Sequence, residues 1–418
     1  MPNTAIRSDT HWARCIDRRL AAMAAYGFVS GLPLPLSGFT FRLWLSDSGA
    51  TLAIAGLTAW IGLAYSLKFL WAPLLDRPPP LRVLQRFGRR RGWLLLVQPI
   101  LGLAALLLAL SDPAAAPLAA FAAAACVAVL SATQDIAIDA WRIEIFPEQR
   151  QGVALAAYVW GYRVALLVSM SGVVAASASI GWHRALLLVS VPIFAGVLVT
   201  LAAGREPATA APPERGFSHA AIEPIRSFLR RPSSLLTLAF VALFKLGEAM
   251  AGIMTAPFYR HLTFGKAAIA ATGPFSLAAT LAGITLGGWL VARIGVGRAL
   301  LWTGTAQTLA MAMYVVLSLT PGRQTVLYAT VSTEAFAQGL ADAAFLTFLS
   351  ALCTRTFAAT QYALLSSVPA LAIHTIGGVS GVIAASLGWT WFYIVCMAGA
   401  LPGMAIMLAL LQRQKSTA

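Results

Sequence analysis

Long apolar runs, broken by clusters of charge, glycine and proline, set the rhythm of this chain. Twelve of them are long enough to cross a bilayer at about 20 residues per crossing. They cover approximately residues 20–45, 51–76, 92–111, 114–141, 152–177 and 182–203, then 234–259, 267–294, 298–320, 325–351, 361–386 and 389–412. Between the sixth and seventh lies the one linker of any length, GREPATAAPPERGFSHAAIEPIRSFLRRPSS, rich in proline, charge and small residues. The pattern predicts an all-α membrane protein of 12 transmembrane helices arranged six plus six. An N-terminal bundle covers residues 1–203, a cytoplasmic linker 204–233 and a C-terminal bundle 234–418. The first run follows Arg7, Arg14, Arg18 and Arg19 but lacks a clear small-residue cleavage site, so it reads as a retained helix rather than a signal peptide.

Composition agrees: 59% of the 418 residues are apolar, 11% are charged and the mean hydropathy is +0.77. A soluble domain carries about 25% charged residues, so a water-soluble globule of this size is excluded. The net charge of +15 would by itself admit nucleic acid or a membrane surface as partner. Placement decides between them. With the N-terminus inside, 22 of the 30 basic residues fall in inward segments and 5 in outward ones, the bias expected of cytoplasmic loops. Both termini are therefore expected in the cytoplasm, and no nucleic acid is implied.

Cys15, Cys126, Cys353 and Cys396 lie far apart in no metal-binding spacing and read as small buried hydrophobes. There is no GxxxxGK[ST], HExxH or GxSxG, and His11, His183, His219, His261 and His374 are too scattered to suggest a metal site. No enzymatic activity, cofactor or metal is expected.

After the second run the chain reads Asp76-Arg77, then Gly88-Arg89-Arg90-Arg91; after the eighth, GGWLVARIGVGR repeats the turn, with Ala292 where the first copy has Asp76. A duplicated six-helix unit with a site near the midplane is a common plan of secondary transporters. The first of these loops is similar to the loop signature of the major facilitator superfamily, stretched by ten residues. The strings GFVSGLPLPLSG, GLAYSLKFLWAPLLDR, GRRRGWLLLVQ, SATQDIAIDAWRIEIFPEQR, GYR, FKLGEA and TQYALLSS extend the likeness from residue 27 to about 367. Together they resemble the AmpG-type muropeptide permeases of that superfamily. The resemblance implies a major-facilitator fold of two pseudo-symmetric six-helix bundles in a bacterial inner membrane. It also implies import, by proton symport, of N-acetylglucosaminyl-anhydro-N-acetylmuramyl peptides for peptidoglycan recycling. The expected partners are an anionic glycopeptide, protons and the lipid bilayer, and the chain is expected to act as a monomer.

Eight ionisable residues lie within the runs: Lys68, Asp135, Asp139, Arg163, Lys245, Glu248, Glu334 and Asp342. Each costs about 2.5–3.5 kcal/mol to insert, so they should face the bundle interior, and they are the candidate functional groups. Asp135 and Asp139 share one helix face with Arg142, and Gln134 stands beside them. Asp76, Arg77, Asp139 and Arg142 read as a charge cluster that locks the cytoplasmic helix ends, a conformational gate. Asp135, a turn deeper, reads as a substrate or proton contact.

Lys245 and Glu248 are close enough to pair within one helix. The pair is either structural or a switch in which a ligand carboxylate displaces Glu248 or a proton neutralises it. Arg163 offers a planar fork suited to anionic oxygens, and Tyr158 and Tyr162 offer faces for sugar rings, whereas Trp160 projects off that stripe and reads as packing bulk. Lys68 either meets substrate or snorkels to the inner interface. Glu334, Gln338 and Asp342 form a further polar stripe. Gly27, Gly31, Pro33, Pro35 and Gly38 interrupt the first helix, to line a cavity, to pack closely, or both. His374 reads as a packing residue.

The substrate-binding candidates are thus Gln134, Asp135, Tyr158, Tyr162, Arg163, Lys245 and Lys68, and the proton-coupling candidates are Glu248, Asp135, Glu334 and Asp342. Two alternatives stay open: proton-coupled import of a ferric siderophore, and a non-transporting membrane sensor.

Overall fold

Hydrocarbon offers no partner for a backbone N–H or C=O, so a spanning chain must satisfy its own groups, and helices do so within a single segment. The computed structural model describes residues 18–48, 61–204, 206, 223, 226–230, 233–264 and 266–416. Expectations for the N-terminal tail with Cys15, the first half of the second run, most of the linker and the side chain of His374 lie outside the described residues.

The first run forms three consecutive helices, α1 (Arg18–Gly31), α2 (Pro33–Ser37) and α3 (Phe39–Asp47), interrupted at Leu32 and Gly38. Short helices α4 (Ala72–Leu75) and α5 (Arg82–Gln85) flank the basic loop. Then come α6 (Arg89–Leu110), α7 (Pro117–Ile145), α8 (Gln151–Leu167), α9 (Val173–Ile180) and α10 (Trp182–Ala202), with a π-turn over Val168–Gly172 joining α8 to α9. The C-terminal half comprises α11 (Ser234–Leu243), α12 (Leu246–His261), α13 (Lys266–Ile294), α14 (Val296–Ala310), α15 (Ala312–Leu319), α16 (Gln324–Ala351), α17 (Ala358–Leu387) and α18 (Trp389–Ser416). Among the described residues, nine helical stretches are long and apolar enough to cross a bilayer, and α16 passes the same test together with the start of α17 across a bend of 105°. This is compatible with twelve crossings.

Within the N-terminal half, α1 packs on α8, and α6 packs on α7 and α10; within the C-terminal half, α13 and α14 pack on α16. The halves meet where α8 touches α13 and α16 and where α7 touches α17. The outward surface is apolar: Leu107, Leu188, Leu198, Trp302 and Trp391 are each more than 60% exposed, as expected of side chains whose solvent is lipid. Cys396 is buried and Cys353 half-buried, but Cys126 is exposed, contrary to expectation. It lies on the face of α7 turned outward, where a small apolar thiol is as acceptable as in a core.

The α1–α8 crossing brings two backbones into direct contact. A Cβ on Gly27 would collide with the Tyr158 carbonyl, one on Gly161 with the Ala24 carbonyl, and one on Gly31 would lie 2.7 Å from the Tyr162 carbonyl. Contrary to expectation Gly27 does not interrupt the helix but lies within α1, which Gly31 ends, and both glycines serve close packing. The crossing predicts that Gly27→Ala destabilises the protein by about 1–3 kcal/mol through overpacking, visible as a lower melting temperature in detergent. Gly273→Ala in α13, where the added methyl meets nothing within 4 Å, should be neutral or slightly stabilising by helix propensity.

Candidate functional site

At one end of the bundle, called here the charged end, the basic loop and the ends of several helices converge. Asp76, 3% exposed, sits just past α4 and reaches the first turn of α17. Its carboxylate accepts hydrogen bonds from the Ala359 and Thr360 backbone N–H groups at 3.2 and 3.0 Å and from the Thr360 hydroxyl at 2.5 Å. A carboxylate on free N–H groups at a helix start is favoured by hydrogen bonding and by the helix dipole.

Arg90, fully buried, holds Asp76 Oδ1 at 2.7 Å, Glu144 Oε1 at 2.6 Å and the Leu75 carbonyl at 2.5 Å. Arg89 bonds Glu144 at 3.0 Å and crosses to the Arg355 and Thr356 carbonyls at 3.3 and 3.5 Å. Arg142 pairs with Asp139 at 3.2 Å, donates to Ser350 of α16 at 2.9 Å, and lies 5.3 Å over the Tyr362 ring. Residues 76, 89 and 142 therefore each bind the opposite half of the chain here. Arg77 is at the same end, where its carbonyl accepts the Trp93 indole N–H at 2.8 Å. The buried partner of Asp76 is Arg90.

Arg89, Arg90 and Glu144 lie in the basic loop and at the end of α7, and no local pattern in the sequence marks their pairing. The GRRR run was the available signal for the arginines. Glu144, at the end of α7, reads as solvated until its partners are seen. A further contact missed in the sequence is Glu206, just after α10, whose carboxylate accepts the Arg90 and Arg91 backbone N–H groups at 3.0 and 2.5 Å and so caps α6. Burial raises its carboxyl above the ordinary range, against the opposing effect of those N–H groups.

Deeper in the bundle, a cavity of about 340 Å³ lies between the halves. From the N-terminal half it is lined by Lys68, Asp135, Asp139, Tyr158, Tyr162 and Arg163, and from the C-terminal half by Ile284, Asp342, Leu346, Tyr362 and Ser366. Tyr158 and Tyr162, one helical turn apart, stack at 5.9 Å. The Asp135 carboxylate accepts a hydrogen bond from the Ser30 hydroxyl. Among the described residues, neither Lys68 nor Arg163 has a carboxylate within ion-pair distance, although three carboxylates line the same space. Trp160 turns away and donates to Thr285 of α13 at 2.9 Å.

A second lobe of about 310 Å³ shares Asp342, Leu346 and Ser366 with the first and adds Lys245 and Glu248. Lys245 sits at the break between α11 and α12 rather than within a continuous helix. Its ammonium lies 2.5 Å from both Glu248 and Asp342, so the pair foreseen from spacing is a triad that links two helices. Glu248 also accepts from the Gln338 amide at 2.5 Å and from Gln307. Two carboxylates share one ammonium, and the amides supply the remaining donors.

Two candidates are not brought to the cavity. Gln134 is fully buried inside the N-terminal half, and neither amide atom has a hydrogen-bond partner there; one residue before Asp135 means about 100° around the helix, which takes it off the cavity face. Glu334 lies two turns along α16 from Asp342, beside Tyr314 and outside both lobes.

A profile described as Major Facilitator Superfamily matches residues 20–374. The anhydromuropeptide permease of Escherichia coli (strain K12) is 34% identical over 403 residues, covering 96% of this chain and 81% of that protein. Putative transporter AmpG 4 of Rickettsia felis is 31% identical over 94% of this chain and 97% of its own length. Among solved structures, the human organic anion transporter MFSD10 gives a TM-score of 0.71 at 14% identity, covering 93% of this chain and 99% of that one. The E. coli fucose:proton symporter FucP gives 0.69 at 13% identity, covering 93% and 97%. The profile spans most of the chain and both solved transporters share its fold: this chain belongs to the Major Facilitator Superfamily and is a membrane transporter, not an enzyme.

Proposed function

We propose that this protein imports anionic anhydromuropeptides by proton symport across a bacterial inner membrane, with both termini in the cytoplasm and residues 1–203 and 234–418 as the rocking bundles. The observation that carries this reading is the pair of cations, Lys68 and Arg163, that face the central cavity without an ion-pair partner among the described residues. Cations held unpaired within the bundle are costly, and an anionic ligand would relieve that cost. The stacked Tyr158 and Tyr162 rings offer an apolar platform with hydroxyl edges, which suits a sugar. Two neighbouring cavities that share Asp342, Leu346 and Ser366 but differ in their other lining residues suit a ligand with a glycan part and a peptide part. The 34% identity to a permease of that substrate class supports the same assignment.

The charged end would then be the cytoplasmic gate, closed here. Asp76, Arg77, Asp139 and Arg142 belong to it, with Arg89, Arg90 and Glu144 added by geometry. Closure exchanges solvated charges for buried, multiply bonded ones, so removing one partner leaves the others uncompensated. Proton coupling falls to the carboxyls that ring the cavity, Asp135, Asp342 and Glu248, with Glu334 behind them.

Two experiments test this. In proteoliposomes bearing an inwardly directed proton gradient, labelled anhydromuropeptide should accumulate, and dissipating the gradient should abolish accumulation; uptake of a ferric siderophore instead would overturn the substrate assignment. In the same assay Arg163→Ala should raise KM about tenfold or more, the loss expected of one hydrogen-bonded ionic contact, with Arg163→Lys intermediate because a point charge replaces a fork. For the gate, Asp76→Asn should cost the closed state roughly 3 kcal/mol. Spin labels on α5 and the charged end of α16 should then report a longer distance, and an unchanged distribution would remove Asp76 from the gate.

A further inference from the structure

Ser30 stands behind the cavity wall and joins two groups that face it. It is 1% exposed, its hydroxyl donates to Asp135 Oδ1 of α7, and its oxygen lies 2.7 Å from the Tyr158 hydroxyl of α8. Asp135 and Tyr158 line the cavity and Ser30 does not. The glycine-mediated contact of α1 with α8 is what brings a side chain as short as serine within reach of both neighbours.

A hydroxyl has one proton to give, and two oxygens 2.7 Å apart need a proton between them. While Ser30 gives its proton to the Asp135 carboxylate, Tyr158 must give its own to Ser30. The phenol oxygen then offers the cavity only lone pairs. When Asp135 carries a proton, its carboxyl donates to Ser30, Ser30 turns its O–H toward Tyr158, and the phenol proton is free to point into the cavity. One proton arrives at the carboxyl; the two hydroxyls only rotate, each keeping its own hydrogen.

We propose that Ser30 is a positioning residue that transmits the protonation of Asp135 to Tyr158, switching the phenol from acceptor to donor toward the ligand. This rests on the proton-symport reading above. The sense fits import: the protonated carrier presents a donor one turn from the Arg163 fork, both suited to anionic or carbonyl oxygen, and loss of the proton on the far side withdraws that donor. The other groups around Asp135 and Tyr158 are Lys68 and Tyr65 from the segment before α4, Asp139 and Arg142 on α7, Tyr162 and Arg163 on α8, and, across the cavity, Asp342 on α16 and Tyr362 on α17. They bias when Asp135 titrates. None of them hydrogen-bonds Ser30, whose side-chain partners among the described residues are Asp135 and Tyr158.

The test uses the full chain in lipid nanodiscs. Wild-type affinity for anhydromuropeptide should fall about tenfold as pH rises through the titration of Asp135, one hydrogen bond to a charged group being lost. Ser30→Ala and Tyr158→Phe should show no such dependence, and Asp135→Asn, whose amide donates at every pH, should keep the tighter value throughout. A second readout needs no ligand. Infrared difference spectra between acid and alkaline pH should pair a carboxyl band, absent in Asp135→Asn, with a tyrosine band, absent in Tyr158→Phe. In Ser30→Ala the carboxyl band should remain while the tyrosine band stays still. A tyrosine shift that persists in Ser30→Ala, or is missing in the wild type, overturns the relay. If the spectra behave as expected but no muropeptide binds at any pH, the relay stands and the substrate assignment fails; if muropeptide binds with a pH dependence that Ser30→Ala retains, the reverse holds.

Discussion

The whole arrangement depends on the expense of ionised groups in hydrocarbon. None of the eight ionisable residues in the apolar runs is exposed on the outer surface, where leucine, valine, isoleucine and tryptophan predominate. Turned inward from different helices, those charges have few places to go, and all but Glu334 line the two central cavities. The same penalty that would unfold a chain with charges on its lipid face builds a polar centre when the charges are directed to it.

Two kinds of satisfaction divide that centre from the charged end. At the end, Arg90 has Asp76, Glu144 and a backbone carbonyl, and Asp76 in turn has three donors on α17. Such a cluster is stable when complete and costly when one member leaves, which gives a closed state a sharp alternative rather than a gradual loosening. In the cavity, by contrast, neither Lys68 nor Arg163 has a carboxylate within ion-pair distance among the described residues, while Asp342 is taken by Lys245. The proposed transport would use both: a latch whose bonds are made within the protein, and a pocket whose bonds await a solute. The 2.7 Å Ser30–Tyr158 contact adds a third element, a hydrogen-bond chain whose polarity depends on one proton.

Much of this was legible in one dimension, for reasons that particular residues make plain. Asp135, Asp139 and Arg142 share a face because helical spacing leaves no other option, and Lys245 and Glu248 pair for the same reason. Gln134 went astray because adjacency in sequence is not adjacency on a helix: one residue's rotation carries it into the packed interior of its own half. Glu144 and Glu206 went unassigned because a carboxylate near a helix end looks solvated until the basic loop is seen folded over it. Helical spacing puts Asp342 on one polar stripe with Glu334 and Gln338, and nothing along the chain announces that it shares the Lys245 ammonium with Glu248 from another helix.

What the amino-acid order determined alone is whatever follows from local period and bulk composition: a lipid solvent, the number and place of the apolar runs, the inward direction of their charges and the family likeness carried by the basic loop. Those properties depend on the cost of transferring side chains between water and oil and on the 3.6-residue turn, both of which act along the chain. Beyond the pairs three residues apart, tertiary packing decided which charges meet, because Arg90 with Glu144 and Lys245 with Asp342 bring together atoms from helices tens of residues apart. The backbone contact at Gly27 and Gly161 sets how close Ser30 comes to Tyr158, and the approach of α17 to Asp76 sets which helix ends are tied together. Distances of that kind are settled in three dimensions by steric fit, and no periodicity encodes them.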